Sequence, residues 1–320
     1  MKLPILMYHY VRPTKLRLSN RHNVLDLDLF VNQLEHLSEK HAFIDSQELL
    51  RLDNAEGKQK NTVWLTFDDG YKDCIDHVLP ALLRFGAKGT FYVPTEAIFE
   101  RKLLDVNKVH IILSSSASPK KIVEVCRDLF IGGNFEREVG ISFTDLFATY
   151  GVANPWNDAE TEFIKKFLQK ALPTSVRKKI IDLVFAQVVN RSESDWVDQF
   201  YLNADDLNFL RENGMEIGSH GHSHSWLADM GMDEQKSDLM ESFRLIDEQT
   251  PGSNCKTICY PFGSYNSDTL RILTELSISS GVVNSGQRVA TIGDQSSDLL
   301  ELDRIDCMYF DEFARGDFDA

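Results

Sequence analysis

"TVWLTFDDGYKDCIDHVLPALLRFGAKGTFYVP", residues 62 to 94, decides the fold. It opens with a β-branched and aromatic run that reads as a strand and is broken by Asp-Asp-Gly. A helical pattern follows, "CIDHVLPALLRFG", with Pro80 as a kink. A second apolar run, "KGTFYVP", then closes the unit. Strand, helix and strand within about 30 residues predict a right-handed parallel βαβ unit.

The same rhythm extends on both sides. Upstream lie a buried strand, "LPILMYHYV" (residues 3–11), and an amphipathic helix, "LDLDLFVNQLEHLSEKHAF". From Asn203 onward the chain reads as the capped helix "NADDLNFLREN", the strand "GMEIGSH", a helix, the strand "TICYPFG", another helix, and two short strands, "SGVVNS" and "ELDRIDCM". Residues 100–202 are helical in period throughout and predict a mostly helical insertion. The expected organisation is an α/β barrel from residues 1–99 and 203–306, the insertion at 100–202, and a tail at 307–320 rich in Asp and Phe.

The 320 residues, 42% hydrophobic and 26% charged, supply ample core for a globular protein. A net charge of −15 argues against a phosphate-tracking nucleic-acid binder. The five cysteines form no CxxC pair and predict reduced, buried thiols. No run approaches the ~18 apolar residues of a membrane span. The opening residues lack the apolar segment of about 7–15 residues that marks a secretory signal, so the expected location is cytoplasmic.

Several apolar strands carry a polar or glycine-containing element at their carboxyl ends: "PILMYH", "VWLTFDD", "MEIGSH" and "TICYPFG". In a parallel barrel those ends open on one face, so residues distant in sequence meet there. Asp68 and Asp69 would point to opposite sides of a regular strand, but Gly70 can turn the chain and bring both to one pocket. Alone, the doublet reads equally as a surface turn. "GSHGHSHSW" offers His220, His222 and His224, and imidazoles four residues apart with an aspartate suit Zn²⁺ or a similar divalent ion. Gly221 after the first histidine excludes the HExxH pattern.

Taken in order, "LTFDDGY", "EIGSHGHSHSWL" and "YPFGSYN" resemble the NodB-type polysaccharide deacetylases, carbohydrate esterase family 4. The resemblance covers about two thirds of the chain and implies a distorted (β/α)7 barrel. It implies that Asp69, His220 and His224 bind one divalent metal ion, Zn²⁺, and that Asp68 is the general base for a metal-bound water attacking an N-acetyl group of a sugar or polysaccharide precursor. The amide after the proline of "YPFG", which is Phe262, would help to form the oxyanion hole. In most of the family a late histidine supplies the leaving-group proton, whereas no histidine follows His224 here. "ILMYHYV" is similar to the branch in which the barrel is circularly permuted and the acid-bearing strand opens the chain, which makes His9 the expected acid.

The sequence also departs from the family pattern. Cys259 stands where the family's arginine tethers the base. Arg304, in "LELDRIDC", either approaches Asp68 from another strand or pairs with Asp303 or Asp306 at the surface. Trp226 and Tyr265 are candidates to line a sugar platform. The expected partner is an acetylated carbohydrate. The alternatives are an O-acetyl esterase or another C–N hydrolase on the same site, and an inactive carbohydrate-binding protein on this scaffold.

Overall fold

The computed structural model describes residues 1–18, 24–53, 61–293 and 298–317. The tail's last three residues and most of the polar stretch "LDNAEGKQKN" lie outside the described residues. Two compact units emerge, one built from Met1–Leu16, Val24–Lys102 and Asp198–Ala320, the other mainly from Leu103–Val197.

Among the described residues the first unit holds ten strands: β1 (Lys2–Leu3), β2 (Ile5–Tyr8), β3 (Ala42–Ile44), β4 (Thr62–Phe67), β5 (Thr90–Val93), β6 (Glu216–Ser219), β7 (Thr257–Cys259), β8 (Ser280–Val282), β9 (Ala290–Thr291) and β10 (Ile305–Asp306). Seven of them run in the order β10-β2-β4-β5-β6-β7-β8, with β3 also pairing to β4, and all of these ladders are parallel. This is the distorted (β/α)7 barrel. The segment after Asp298 brings its two ends together, because Leu302 bridges to Val282 of β8 while Ile305 pairs with Leu6 of β2. A separate antiparallel ladder joins β1 to β9.

Period-two alternation sorts the strand residues. Ile5, Trp64, Tyr92, Cys259 and Val282 meet inside the barrel as one buried cluster. Tyr8, Phe67 and Phe91 form an aromatic ladder on the outside, with adjacent centroids 5.1 and 4.8 Å apart, and Phe30 of the helix Leu27–Lys40 packs on it. Gly218 is required on β6 because a Cβ there would lie 2.5 Å from the Tyr92 ring. Pro80 falls in the first turn of the helix Leu79–Arg84, directly after a π-helical turn, Cys74–Val78, which accommodates its missing N–H.

The second unit is helical. Its helices include Asp105–Ser114, Pro119–Gly132, Phe143–Tyr150, Ala159–Gln169 and Thr174–Val188. Ser118, Ser142 and Asp158 each cap a helix by accepting a backbone N–H. Phe130, Phe143, Phe163 and Phe167 cluster in its core. At the end of the chain, Phe310 buries its ring at the start of the short helix Phe310–Arg315. No helix among the described residues is long and apolar enough to cross a membrane.

Candidate active site

Strand register assembles the site. Tyr8 pairs with Phe67, so the next residues, His9 and Asp68, leave the sheet side by side, and the Asp68 N–H donates to the Tyr8 carbonyl at 2.9 Å. Val93 pairs with Ser219, and the His220 N–H donates to the Val93 carbonyl. Asp68 lies two residues beyond Thr66 and four beyond the interior residue Trp64, so alternation directs it inward. Asp69 then takes a left-handed conformation, φ 70°, followed by Gly70 at φ 62°. The turn expected from the glycine therefore begins at the second aspartate, which brings both carboxylates to one face.

Asp69, His220 and His224 converge. Asp69 Oδ1 lies 3.3 Å from His220 Nε2 and 3.2 Å from His224 Nε2, and all three residues are buried. His220 Nδ1 donates to the Cys259 carbonyl at 2.7 Å, a partner that can only accept, which turns Nε2 toward Asp69. Burial opposes the charge on Asp69, but hydrogen bonds from His220 and His224 hold its carboxyl well below the usual range. Burial also lowers the pKa of His224. One carboxylate and two oriented imidazoles form a donor set that fits a divalent transition ion such as Zn²⁺. His222 turns elsewhere: its ring meets Thr95 Oγ1 at 2.9 Å and Glu100 at 3.2 Å.

Asp68 is 2% exposed and is gripped by Arg304, itself 1% exposed. Arg304 donates from Nη1 to Oδ1 and from Nη2 to Oδ2, both at 2.8 Å, and also reaches Thr66 Oγ1, the Val283 carbonyl and Cys259 Sγ. Of the two placements open for Arg304, the structure has the buried one. Burial alone would raise the Asp68 pKa, but the guanidinium outweighs it and holds the carboxyl below its ordinary value. Cys259 packs its sulfur 3.5 Å from Asp68 Oδ2, and burial pushes its thiol pKa up, so it stays neutral. His9 is 40% exposed at the rim, with Nε2 3.7 Å from Asp68 Oδ2.

Phe262 adopts φ 59°, ψ 11°. Its N–H has no hydrogen-bond partner among the described residues. Its ring stacks on Trp226, with centroids 4.5 Å apart at 4°, and meets His224 edge-on at 4.7 Å. Tyr265 stacks on Tyr260 and donates to Glu301 at 2.7 Å. Sequence reasoning missed Asp238, which accepts from the His222 and Ser223 N–H groups and from Ser223 Oγ and so shapes the histidine loop. Its only sequence signal is an aspartate on the buried face of the helix Met232–Gln249.

The fold is shared with solved deacetylases. A Streptococcus pyogenes deacetylase, PplD, solved in complex with acetate, aligns over 96% of this chain and 92% of its own at 22% identity and a TM-score of 0.57. IcaB from Ammonifex degensii aligns over 98% and 96% at 15% identity and a TM-score of 0.59, and a de-N-acetylase from Aggregatibacter actinomycetemcomitans over 96% of each chain at 12% and 0.55. At these identities the likeness is one of fold. No curated protein matches the sequence. The sequence profile described as polysaccharide deacetylase matches residues 55–117 and 158–280, more than half of the chain. The protein belongs to the polysaccharide deacetylase family, enzymes that act on acetylated carbohydrate.

Proposed function

We propose that the protein hydrolyses N-acetyl groups of an amino sugar in a polysaccharide or its precursor, with one divalent ion, Zn²⁺, held by Asp69, His220 and His224. The observation that carries this reading is the meeting of those three side chains beside a second carboxylate with a separate counter-charge. When bound, the ion would act as a Lewis acid that makes water more acidic and the acyl carbon more electrophilic. Asp68, kept ionised by Arg304, takes the proton of the attacking water. The unpartnered Phe262 N–H donates to the oxygen that becomes negative as the carbonyl carbon turns tetrahedral. His9 protonates the departing amine, since an amide nitrogen leaves poorly as an anion, and acetate and the free amino sugar result. Trp226 and Tyr265 present aromatic surface for a sugar ring.

Cys259 in the place of the family's arginine motivates an inactive binding protein. Arg304 grips Asp68 with two hydrogen bonds from another strand and supports the enzyme reading instead.

The test is metal content together with acetate release from N-acetylglucosamine oligosaccharides. The purified protein should hold about one Zn²⁺ per chain, and Asp69→Ala and His220→Ala should lose both metal and turnover. Full metal content in both variants defeats the ligand assignment. An Asp68→Asn variant with wild-type turnover defeats the base assignment.

A further inference from the structure

Asp73 begins the π-helical turn Cys74–Val78, where a carboxylate commonly accepts an N–H of its own helix, yet it makes no capping bond there. Both of its oxygens turn instead to the chain leaving β2. Oδ2 accepts from the Val11 N–H at 3.1 Å and from Arg12 Nε at 2.8 Å, and Oδ1 accepts from Arg12 Nη2 at 2.7 Å. The carboxylate is buried, 4% exposed. The Arg12 guanidinium lies 5.1 Å over the Tyr10 ring, which stacks on Tyr71 with centroids 3.9 Å apart. Leu25 completes the frame, accepting from the Arg12 N–H and donating to the Tyr10 carbonyl.

His9 therefore hangs between two ties. One residue before it, the Tyr8 carbonyl accepts from the Asp68 N–H; two residues after it, the Val11 N–H donates to Asp73. Both anchors belong to the segment 68–73 that also carries Asp68 and Asp69. The His9 ring itself makes no hydrogen bond among the described residues, and its nearest charged neighbour is Asp68 at 3.7 Å. Its place at the rim thus depends on the backbone at either side rather than on its own contacts. We infer that Asp73, through Arg12 and the Val11 amide, is the positioning residue that sets His9 in proton-donating reach of the leaving group. The inference rests on His9 being the acid.

The experiment compares Asp73→Asn with wild type on two substrates, N-acetylglucosamine oligosaccharides and 4-nitrophenyl acetate, whose aryloxide leaves without a proton. Loss of His9 placement should lower kcat on the amide roughly 10- to 100-fold, as expected for a catalytic group displaced by about an ångström, and lower turnover of the ester by no more than about threefold. In a His9→Ala background the same substitution should add less than about twofold, because a residue acting through His9 has nothing left to act on. Equal losses on both substrates, or an undiminished loss in the His9→Ala background, overturn the inference. A His9→Ala enzyme with full amide turnover overturns the acid assignment itself, a result distinguishable from a silent Asp73→Asn. Arg12→Lys, which keeps the charge but not the fork, guards against a misfolded Asp73 variant and should show the same substrate split. In both variants the Val11 amide should exchange hydrogen faster while Leu65 in β4 stays protected, and unchanged exchange at Val11 also overturns the proposal.

Discussion

Replacing Arg304 with methionine isolates the physical cost of the Asp68 site. The substitution keeps an unbranched side chain but removes five donors, two of which hold a carboxylate that is 2% exposed. Breaking one partner of a buried ion pair costs about 3–5 kcal/mol, because the remaining charge stays buried without compensation. The sign with pH follows from the two forces on Asp68. With Arg304 present the folded pKa is depressed, so the pair contributes stability above the unfolded carboxylate pKa of about 3.9, and this stability is lost as pH falls through the folded value. Without Arg304 burial dominates and raises the folded pKa, so Asp68 stabilises only at low pH and that contribution is lost as pH rises. The stability gap between wild type and Arg304→Met should therefore be smaller near pH 4 than at neutral pH and should widen to about 3–5 kcal/mol by pH 7. Urea unfolding at pH 4, 5.5 and 7 reads it directly. The double variant Asp68→Asn with Arg304→Met should recover part of the loss, since no charge is then left behind. A gap below about 1 kcal/mol at pH 7, the size of an exposed pair, or one that does not grow with pH, would refute the reasoning.

Further outcomes are expected elsewhere. His9→Ala should reduce turnover of an N-acetyl substrate by roughly 100-fold while sparing 4-nitrophenyl acetate, within the 10²–10⁴ span of general acid catalysis; equal losses on the two substrates would remove His9 from the acid role. Gly70→Ala should destabilise by about 1–3 kcal/mol in thermal unfolding and lower Zn²⁺ content, because φ is +62° and the new Cβ would meet Val93 and Ile98 at 3.1 Å. A variant as stable as wild type would show that the turn has slack. Glu216, half-buried against Ser46 and Thr90 at the start of β6, has its pKa raised by desolvation against the hydrogen bonds it accepts. Its folded pKa lies above its unfolded one, so its contribution is full at low pH and is lost as pH rises through the folded value. Glu216→Gln should thus compare more favourably with wild type at pH 8 than at pH 4 in urea titrations; a pH-independent difference would exclude the shift.

What the sequence disclosed follows from how each residue reaches the site. Asp68, Asp69, His9 and His220 stand within two residues of a strand end, where apolar runs fix the strand and parallel register fixes what meets at its exit. Arg304 was legible only as one of two placements, because its inward course depends on the segment after Asp298 crossing from β8 to β2, and no local pattern encodes that path. Asp73 and Asp238 were not legible as site residues at all. Each lies in or beside a helical pattern, and each works through backbone N–H groups 62 and 16 positions away, contacts that only the closed barrel creates. The backbone carries the same lesson. Of seven described non-glycine residues with positive φ, three are Asp69, His224 and Phe262, one in each motif loop. Local propensity disfavours all three, at a cost of about 1–3 kcal/mol each, so the surrounding barrel must overdetermine them. In the proposed site these three positions aim two candidate ligand side chains and an unpartnered N–H at one point. A sequence reader applying local rules errs at these positions because the fold spends stability there to hold the geometry that the chemistry needs.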